Sequence, residues 1–380
     1  MAGQNNKTNK KFMVLSALGI FMVVDHHTFT ALNLFGDFIP YNSFFMPMFV
    51  FISGYFNKVD SSTKLLGYTK KKLKTLIFPY ILITLIVSGI QWLMNFYKLG
   101  EVPAYPSGYL LYILERVVTS GSPFMLAAPM WFVITLFATL MIYAVIKKLL
   151  FKIWNSYLMF SIFTALNFLT VCVAKTIDAE TLVHFLLPLK VLFFLPFLEL
   201  GMIYRDHLEK KHEGLSGGIK VLLLVILLLL NMIRTMYLPS SYDVAFDSLD
   251  ELSGFTSPFI ITPMVSSVIG ITFWLTLVDI IGKPFYNSRF INYMSCNTFW
   301  IMGLHVTFFN ILNCILMTIS EHIATLPYFD TETFRETEWY LWEINPNFKF
   351  AYVIIGILGP LALKLLYDKI CSLIPQTKKS

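Results

Sequence analysis

Long apolar stretches recur along the chain, divided by short polar connections, and their lengths suit helices that span a bilayer. A span needs roughly 20 mostly apolar residues, because the hydrocarbon core is about 30 Å thick and a helix rises about 1.5 Å per residue. Ten stretches are read as spans, at about 12–32, 39–57, 75–97, 130–151, 154–174, 182–204, 217–237, 258–282, 295–320 and 348–370. The second is the shortest and contains Pro40 and Pro47. Runs such as Val221–Leu230 hold no polar residue. They exclude the alternation of a membrane β-strand and leave the helix, which satisfies its own backbone in lipid. The expected fold is all-α, a polytopic membrane helical bundle of about ten transmembrane helices.

Composition agrees. Of 380 residues, 56% are hydrophobic and 14% charged, against about 25% charged in a soluble chain; the mean hydropathy is +0.67. Lys and Arg concentrate in cytoplasmic loops of membrane proteins. With the N-terminus inside, 22 of the 29 basic residues fall in inside segments, 6 in outside segments, and Lys190 within a span. Both termini are therefore expected in the cytoplasm. The net charge of +6 belongs to those inner loops and gives no reason to invoke nucleic acid. The basic start is read as leading into a retained first span, because the apolar run continues into Asp25-His26-His27 without a small-x-small cleavage site. The four cysteines, Cys172, Cys296, Cys314 and Cys371, have no paired spacing and suggest neither a disulfide framework nor a metal site.

The organisation reads as one membrane domain over 1–380, with a cytoplasmic N-terminus at 1–11 and a cytoplasmic tail at 375–380. Three outer connections are long. Segment 98–129 holds the amphipathic stretch Tyr109–Val118, suited to the interface. Segments 238–257 and 321–347 are acidic and aromatic, with Trp339 and Trp342 suited to the headgroup layer.

Ionisable residues inside spans carry the chemical information, since each costs at least about 2.5 kcal/mol at a helix centre. They are Asp25, His26, His27, Lys190, Glu199, Asp279 and His305. Consecutive side chains on a helix fan out about 100° apart, so Asp25, His26 and His27 cannot share one face. Counting from Phe12 puts His27 about 22 Å into the membrane, in the outer half. A neutral imidazole there can take a proton from a hydroxyl, as a general base must near neutral pH. The bland reading is an interface pair bonded to backbone or water. His305 lies about 15 Å into the ninth span, and alone it reads more readily as a bonded bundle histidine than as a catalyst. Lys190 and Glu199 are nine residues apart, too far to pair along one helix. Asp279 has Lys283 four residues on, an ordinary helical pair. The densest charge is the loop after the second span, with Lys58, Lys64, Lys70, Lys71, Lys72 and Lys74. Such clusters set topology and touch anionic lipid; the competing reading is a cradle for a polyphosphate ligand.

The order of these features resembles the acyltransferase-3 family, integral-membrane enzymes that O-acylate sugars of the bacterial cell envelope. Four segments carry the likeness. Leu15–Thr28 (LSALGIFMVVDHHT) is similar to the family's first helix, and His27 takes the place of its essential histidine. Phe49–Phe56 (FVFISGYF) is close to its aromatic SGY/SGF helix. Lys72–Pro79 (KLKTLIFP) looks like its basic cytoplasmic motif. Met130-Trp131-Phe132 and Asn292–His305 (NYMSCNTFWIMGLH) resemble its WF start and its late helix ending in histidine. Two positions depart from the pattern. Ser16 stands where the family usually has an arginine eleven residues before the histidine, and Thr75 where a second basic residue is usual.

The resemblance implies O-acyl transfer in the plasma membrane, from cytosolic acyl-CoA, with acetyl-CoA first in line, to a sugar hydroxyl of an envelope or exported polysaccharide. No metal is implied. His27 would be the general base or a transient acyl carrier, with His26 and Asp25 as candidates to orient or replace it. Lys71, Lys72 and Lys74 would hold the CoA phosphates. His305 would support the donor tunnel, and Trp131 would line the sugar entrance. The alternative by span count is a transporter or flippase of envelope saccharides or lipids, and a third is a silent sensor or assembly subunit. Oligomeric state is left open by the residues.

Overall fold

In a computed structural model, residues 2–97, 109–119, 121, 122, 124–237, 259–337 and 339–373 are described. The acidic connection 238–257 and the tail 375–380 lie outside them. Among the described residues there are helices and no strands. In chain order the α-helices are α1 (Ala2–His26), α2 (Phe45–Tyr55), α3 (Leu65–Lys72), α4 (Phe78–Phe96), α5 (Tyr109–Thr119), α6 (Trp131–Leu149), α7 (Ser156–Thr176), α8 (Ala179–Ile203), α9 (Glu209–Glu213), α10 (Gly217–Tyr237), α11 (Thr262–Ile281), α12 (Arg289–Cys296), α13 (Thr298–His322), α14 (Thr331–Glu336) and α15 (Lys349–Leu373).

Eight helical segments are long and apolar enough to cross a membrane: Leu65–Met94, Met125–Leu149, Ser156–Thr176, His184–Glu213, Gly217–Arg234, Thr262–Ile281, Thr298–His322 and Pro346–Leu373. The chain is thus an all-α polytopic membrane protein. The first two expected spans take a different form. α1 stops at His26 instead of running to residue 32, and α2 is only 11 residues long. Between them residues 27–44 form turns and one short 3₁₀ segment, Tyr41–Ser43.

Two of the long helices contain a π-turn, at Leu73–Ile77 and at Tyr204–Leu208. The first has a direct cause in the sequence. Pro79 has no N–H to give to the carbonyl of Thr75, so the preceding turn widens. That turn lies within the basic motif Lys72–Pro79.

Side-chain bonds gather helix ends onto one basic face. The Lys10 ammonium donates to Asn287 at 2.6 Å, and buried Lys11 reaches Tyr204 and Glu213 at 3.3 and 3.1 Å. Arg205 donates to the carbonyls of Tyr55 and Asn57, and Lys148 to that of Thr63. Lys220 of α10 pairs with Asp279 of α11 at 2.5 Å. The helical pair expected between Asp279 and Lys283 is replaced by one between helices, because α11 ends at Ile281 and Lys283 opens a separate 3₁₀ turn.

α2 and α8 touch backbone to backbone. A Cβ on Gly54 would stand 2.0 Å from the Leu198 carbonyl oxygen, and one on Gly201 would stand 2.1 Å from that of Phe51. Absent side chains permit this approach, which is how helices pack tightly where lipid offers no competing hydrophobic drive. The glycine of the SGY string is thus a packing residue. Gly54→Val should destabilise the purified protein by about 1–3 kcal/mol, the usual range for overpacking, visible as a lower thermal midpoint. Gly89→Ala, where a Cβ meets open space, should leave the midpoint unchanged or raise it.

Candidate active site

The site begins where α1 ends. Asp25 is fully buried, and its two carboxylate oxygens accept the backbone N–H groups of Leu32 at 3.0 Å and Asn33 at 3.1 Å. Its carbonyl takes the Thr28 hydroxyl at 2.8 Å and the Thr30 amide at 2.9 Å. The Leu34 amide is taken by the Tyr41 hydroxyl. These bonds replace the helical ladder, and without them the amides would be left unsatisfied at about 1–3 kcal/mol each. They also hold Phe29 and Thr30 in the left-handed region, both at φ 53. Such backbone is unfavourable for β-branched or bulky residues and persists where the surroundings over-determine it. Asp25 therefore shapes the turn that carries the histidine.

His27 is the first residue past the helix. Its Nδ1 lies 2.7 Å from the Val23 carbonyl and 3.1 Å from Nε2 of His305. Nδ1 of His305 in turn lies 2.9 Å from the Ile301 carbonyl. A carbonyl can only accept, so both Nδ1 atoms carry hydrogen. The one His27 Nδ1–H is then shared between the nearer Val23 carbonyl and His305 Nε2, and His27 keeps an Nε2 lone pair as its basic atom. The two rings lie 4.9 Å apart between centroids. Residues 278 positions apart in the chain are thus joined into one chain of bonds.

His26 turns elsewhere: its ring packs against Phe45 at 5.6 Å and against the edge of His27 at 5.5 Å. The aromatic partner of His27 is Trp339, stacked at 5.4 Å with an interplanar angle of 17°. Reasoning from the sequence placed Trp339 and Trp342 at the headgroups. In the structure Trp342 is buried and its indole N–H donates to the Pro327 carbonyl at 2.8 Å, while Trp339 covers the imidazole. Nothing in the local sequence distinguishes these from interface tryptophans. Trp131 has neighbours of its own, with the Lys190 ammonium 4.1 Å from its ring centre and Phe194 stacked at 6.4 Å. Buried Glu199 bonds to the Tyr143 hydroxyl.

On the basic-face side of the histidine pair, a cavity of about 150 Å³ opens inside the bundle, lined among others by Ser16, Ile20, Phe49, Ser53, Phe132 and Met302. Three of the four segments that carry the family likeness meet there; the basic motif does not. By helical rise, Ile20 is about 10 Å from His27 along α1 and Met302 about 5 Å from His305 along α13. Ser16, at the position of the missing arginine, lies on the cavity wall. Of the motif lysines, Lys71 and Lys74 are exposed and Lys72 is half-buried, its ammonium 5.4 Å from the Tyr68 ring centre. Among the described residues no group of three or more His, Cys, Asp and Glu side chains could hold a metal ion.

Fold and site together define a helical membrane protein with a bonded histidine pair in its interior, set above a small cavity. A family model described as an acyltransferase domain, that of the acyltransferase-3 family, matches residues 13–365, and the chain belongs to that family. It is a membrane acyltransferase, and the choice between enzyme and transporter is made. No protein of curated function and no solved structure matches the chain.

Two outcomes test the geometry. With ¹⁵N-labelled histidine, magnetic resonance should find His27 and His305 as the Nδ1–H tautomer, whereas an Nε2–H signal from His27 would break the bonded chain. Asp25→Ala should lower the thermal midpoint by the equivalent of about 2–4 kcal/mol, since two backbone amides of the turn lose their acceptor.

Proposed function

We propose that the protein is an O-acyltransferase of the bacterial plasma membrane that moves an acyl group, in the first instance acetyl, from cytosolic acyl-CoA to a sugar hydroxyl of an envelope or exported polysaccharide. The observation that carries this reading is the bond between His27 and His305, which presents the His27 Nε2 lone pair at the end of α1. A base fixed in this way suits proton removal from an alcohol.

The fit to the donor rests on the arrangement of charge and space. Lys71, Lys72 and Lys74 stand at the basic end of a helix that enters the bundle, where ammonium groups suit phosphate oxygens. The cavity beside Ser16 and Met302 lies on the same side of the histidines, and small hydroxyl side chains there leave room for a narrow, extended arm. On the other side, the indole face of Trp339 lies on His27, a more direct acceptor contact than the one expected of Trp131.

In the reaction, Nε2 of His27 takes the proton of the sugar hydroxyl while its oxygen attacks the thioester carbonyl. A carbon–oxygen bond forms, the carbon–sulfur bond breaks, and the proton passes from the imidazolium to the departing thiolate. The positive charge on His27 is shared through Nδ1–H with the Val23 carbonyl and His305 Nε2. His305 thus positions the base and supports its charged form; Asp25 acts through the turn.

His27→Ala should lower kcat by about 10²–10⁴, the usual contribution of a positioned base, in a CoA-dependent transfer assay; unchanged turnover would remove its assigned role. His305→Ala should lower kcat with little change in KM for either substrate. Acyl-CoA should raise the thermal midpoint of the wild-type protein, and Lys72→Ala should weaken that stabilisation. Equal stabilisation in the variant would move the phosphate site elsewhere.

A further inference from the structure

A second, larger cavity lies on the opposite side of α1 from the one beneath the histidines. It measures about 470 Å³, and its walls include Ala17 and Phe21 of α1, Leu277 and Ile281 of α11, Phe285, and Phe290 of α12. This volume falls in the range of about 300–1,000 Å³ typical of ligand pockets. Every residue lining it is apolar or glycine. Ser16 and Ile20 face the inner cavity while Val14, Ala17, Leu18 and Phe21 face this one, so α1 is the wall between them.

Two features say what fills it. The rim residues Ile281, Phe285 and Phe290 are exposed large hydrophobic side chains. In a membrane protein such surface meets lipid rather than water, so the groove opens to the bilayer and its occupant is an apolar chain. At its basic-face end the walls become polar within single residues: Val278 is followed by Asp279, Gly282 by Lys283, and Phe285 by Tyr286. The second member of each pair lines an adjoining polar cavity of about 180 Å³, together with Lys11, Glu213 and Lys220.

Charge at this end is in excess on the positive side. Lys220 is matched by Asp279 and Lys11 by Glu213. Lys283, released by the Lys220–Asp279 pair, has no ion-pair or hydrogen-bond partner among the described residues, and Lys10 bonds only to the neutral Asn287 side chain. Lys283 at the polar end of the apolar groove, with Lys10 bonded to Asn287 four residues further along the chain, complements one anionic phosphate ester joined to an acyl chain.

We infer that this groove is a binding site for an anionic phospholipid of the leaflet that faces the basic loops, its phosphate at Lys283 and Lys10 and one acyl chain along α1. The site is separate from the acyl-transfer chemistry and stands without it. A polyprenyl-phosphate carrier of an exported glycan is the other lipid of this general form; it presents its phosphate at the opposite surface once exported, so the position of the cations favours the phospholipid.

The test uses the full-length protein in detergent, stripped of lipid, with phosphatidylglycerol, phosphatidylcholine of the same chains, and undecaprenyl phosphate as probes. Native mass spectrometry and thermal midpoints are read. One phosphatidylglycerol per chain should be retained and should raise the midpoint by several degrees, and phosphatidylcholine should do neither. Lys283→Glu, an exposed change that leaves the fold intact, should weaken phosphatidylglycerol binding at least tenfold. Ala17→Phe should fill the groove and displace the lipid; if it does not fold, Leu277→Phe serves from the facing wall. Equal binding of phosphatidylcholine, an unaffected Lys283→Glu, lipid retained with the groove filled, or preferential capture of undecaprenyl phosphate would each overturn the assignment.

Discussion

The site depends on ending a helix inside an apolar environment. A helix can stop there only if its last carbonyls and the amides of the turn that follows find other partners. Asp25 supplies them: its buried carboxylate takes two backbone N–H groups, and its own carbonyl takes two more, from Thr28 and Thr30, together with a hydroxyl. A buried carboxylate is itself unfavourable unless its oxygens are satisfied, so side chain and turn stabilise each other. Because α1 stops at this point, His27 leaves the helical path and reaches across to α13.

That crossing joins two imidazoles from distant parts of the chain into one bonded pair. Each Nδ1–H is turned toward a carbonyl in its own helix, one turn back. The backbone thereby sets both tautomers, and His305 meets its partner as an acceptor. Nothing in the pair has to reorganise when a proton arrives at His27 Nε2, the condition under which preorganised polar groups are most effective. Trp339 stacks on the same ring, and the inner cavity begins about two helical turns further back along α1.

The apolar groove and the inner cavity show how a single helix divides its faces. On α1, residues 16 and 20 line the inner cavity, and residues 14, 17, 18 and 21 line the apolar groove. The close contact of α2 and α8 through Gly54 and Gly201 holds the neighbouring wall. In a bilayer such backbone contact does the work that hydrophobic burial does in water.

The residues alone determined the fold class, because ten long apolar stretches and a one-sided distribution of lysine and arginine admit little else. They determined the family, through strings spread from Leu15 to His305, and singled out His27, whose role as base is the proposal. Local chemistry is legible in this way when the responsible atoms are neighbours in the chain. Tertiary structure decided the rest: that α1 ends at His26, that His305 joins His27, that Trp339 covers the imidazole, and that Asp279 pairs with Lys220 and leaves Lys283 unmatched. Each of these is a contact between side chains far apart in sequence. Periodicity and composition describe which face of a helix is apolar, but the partner it meets is set only when the helices pack.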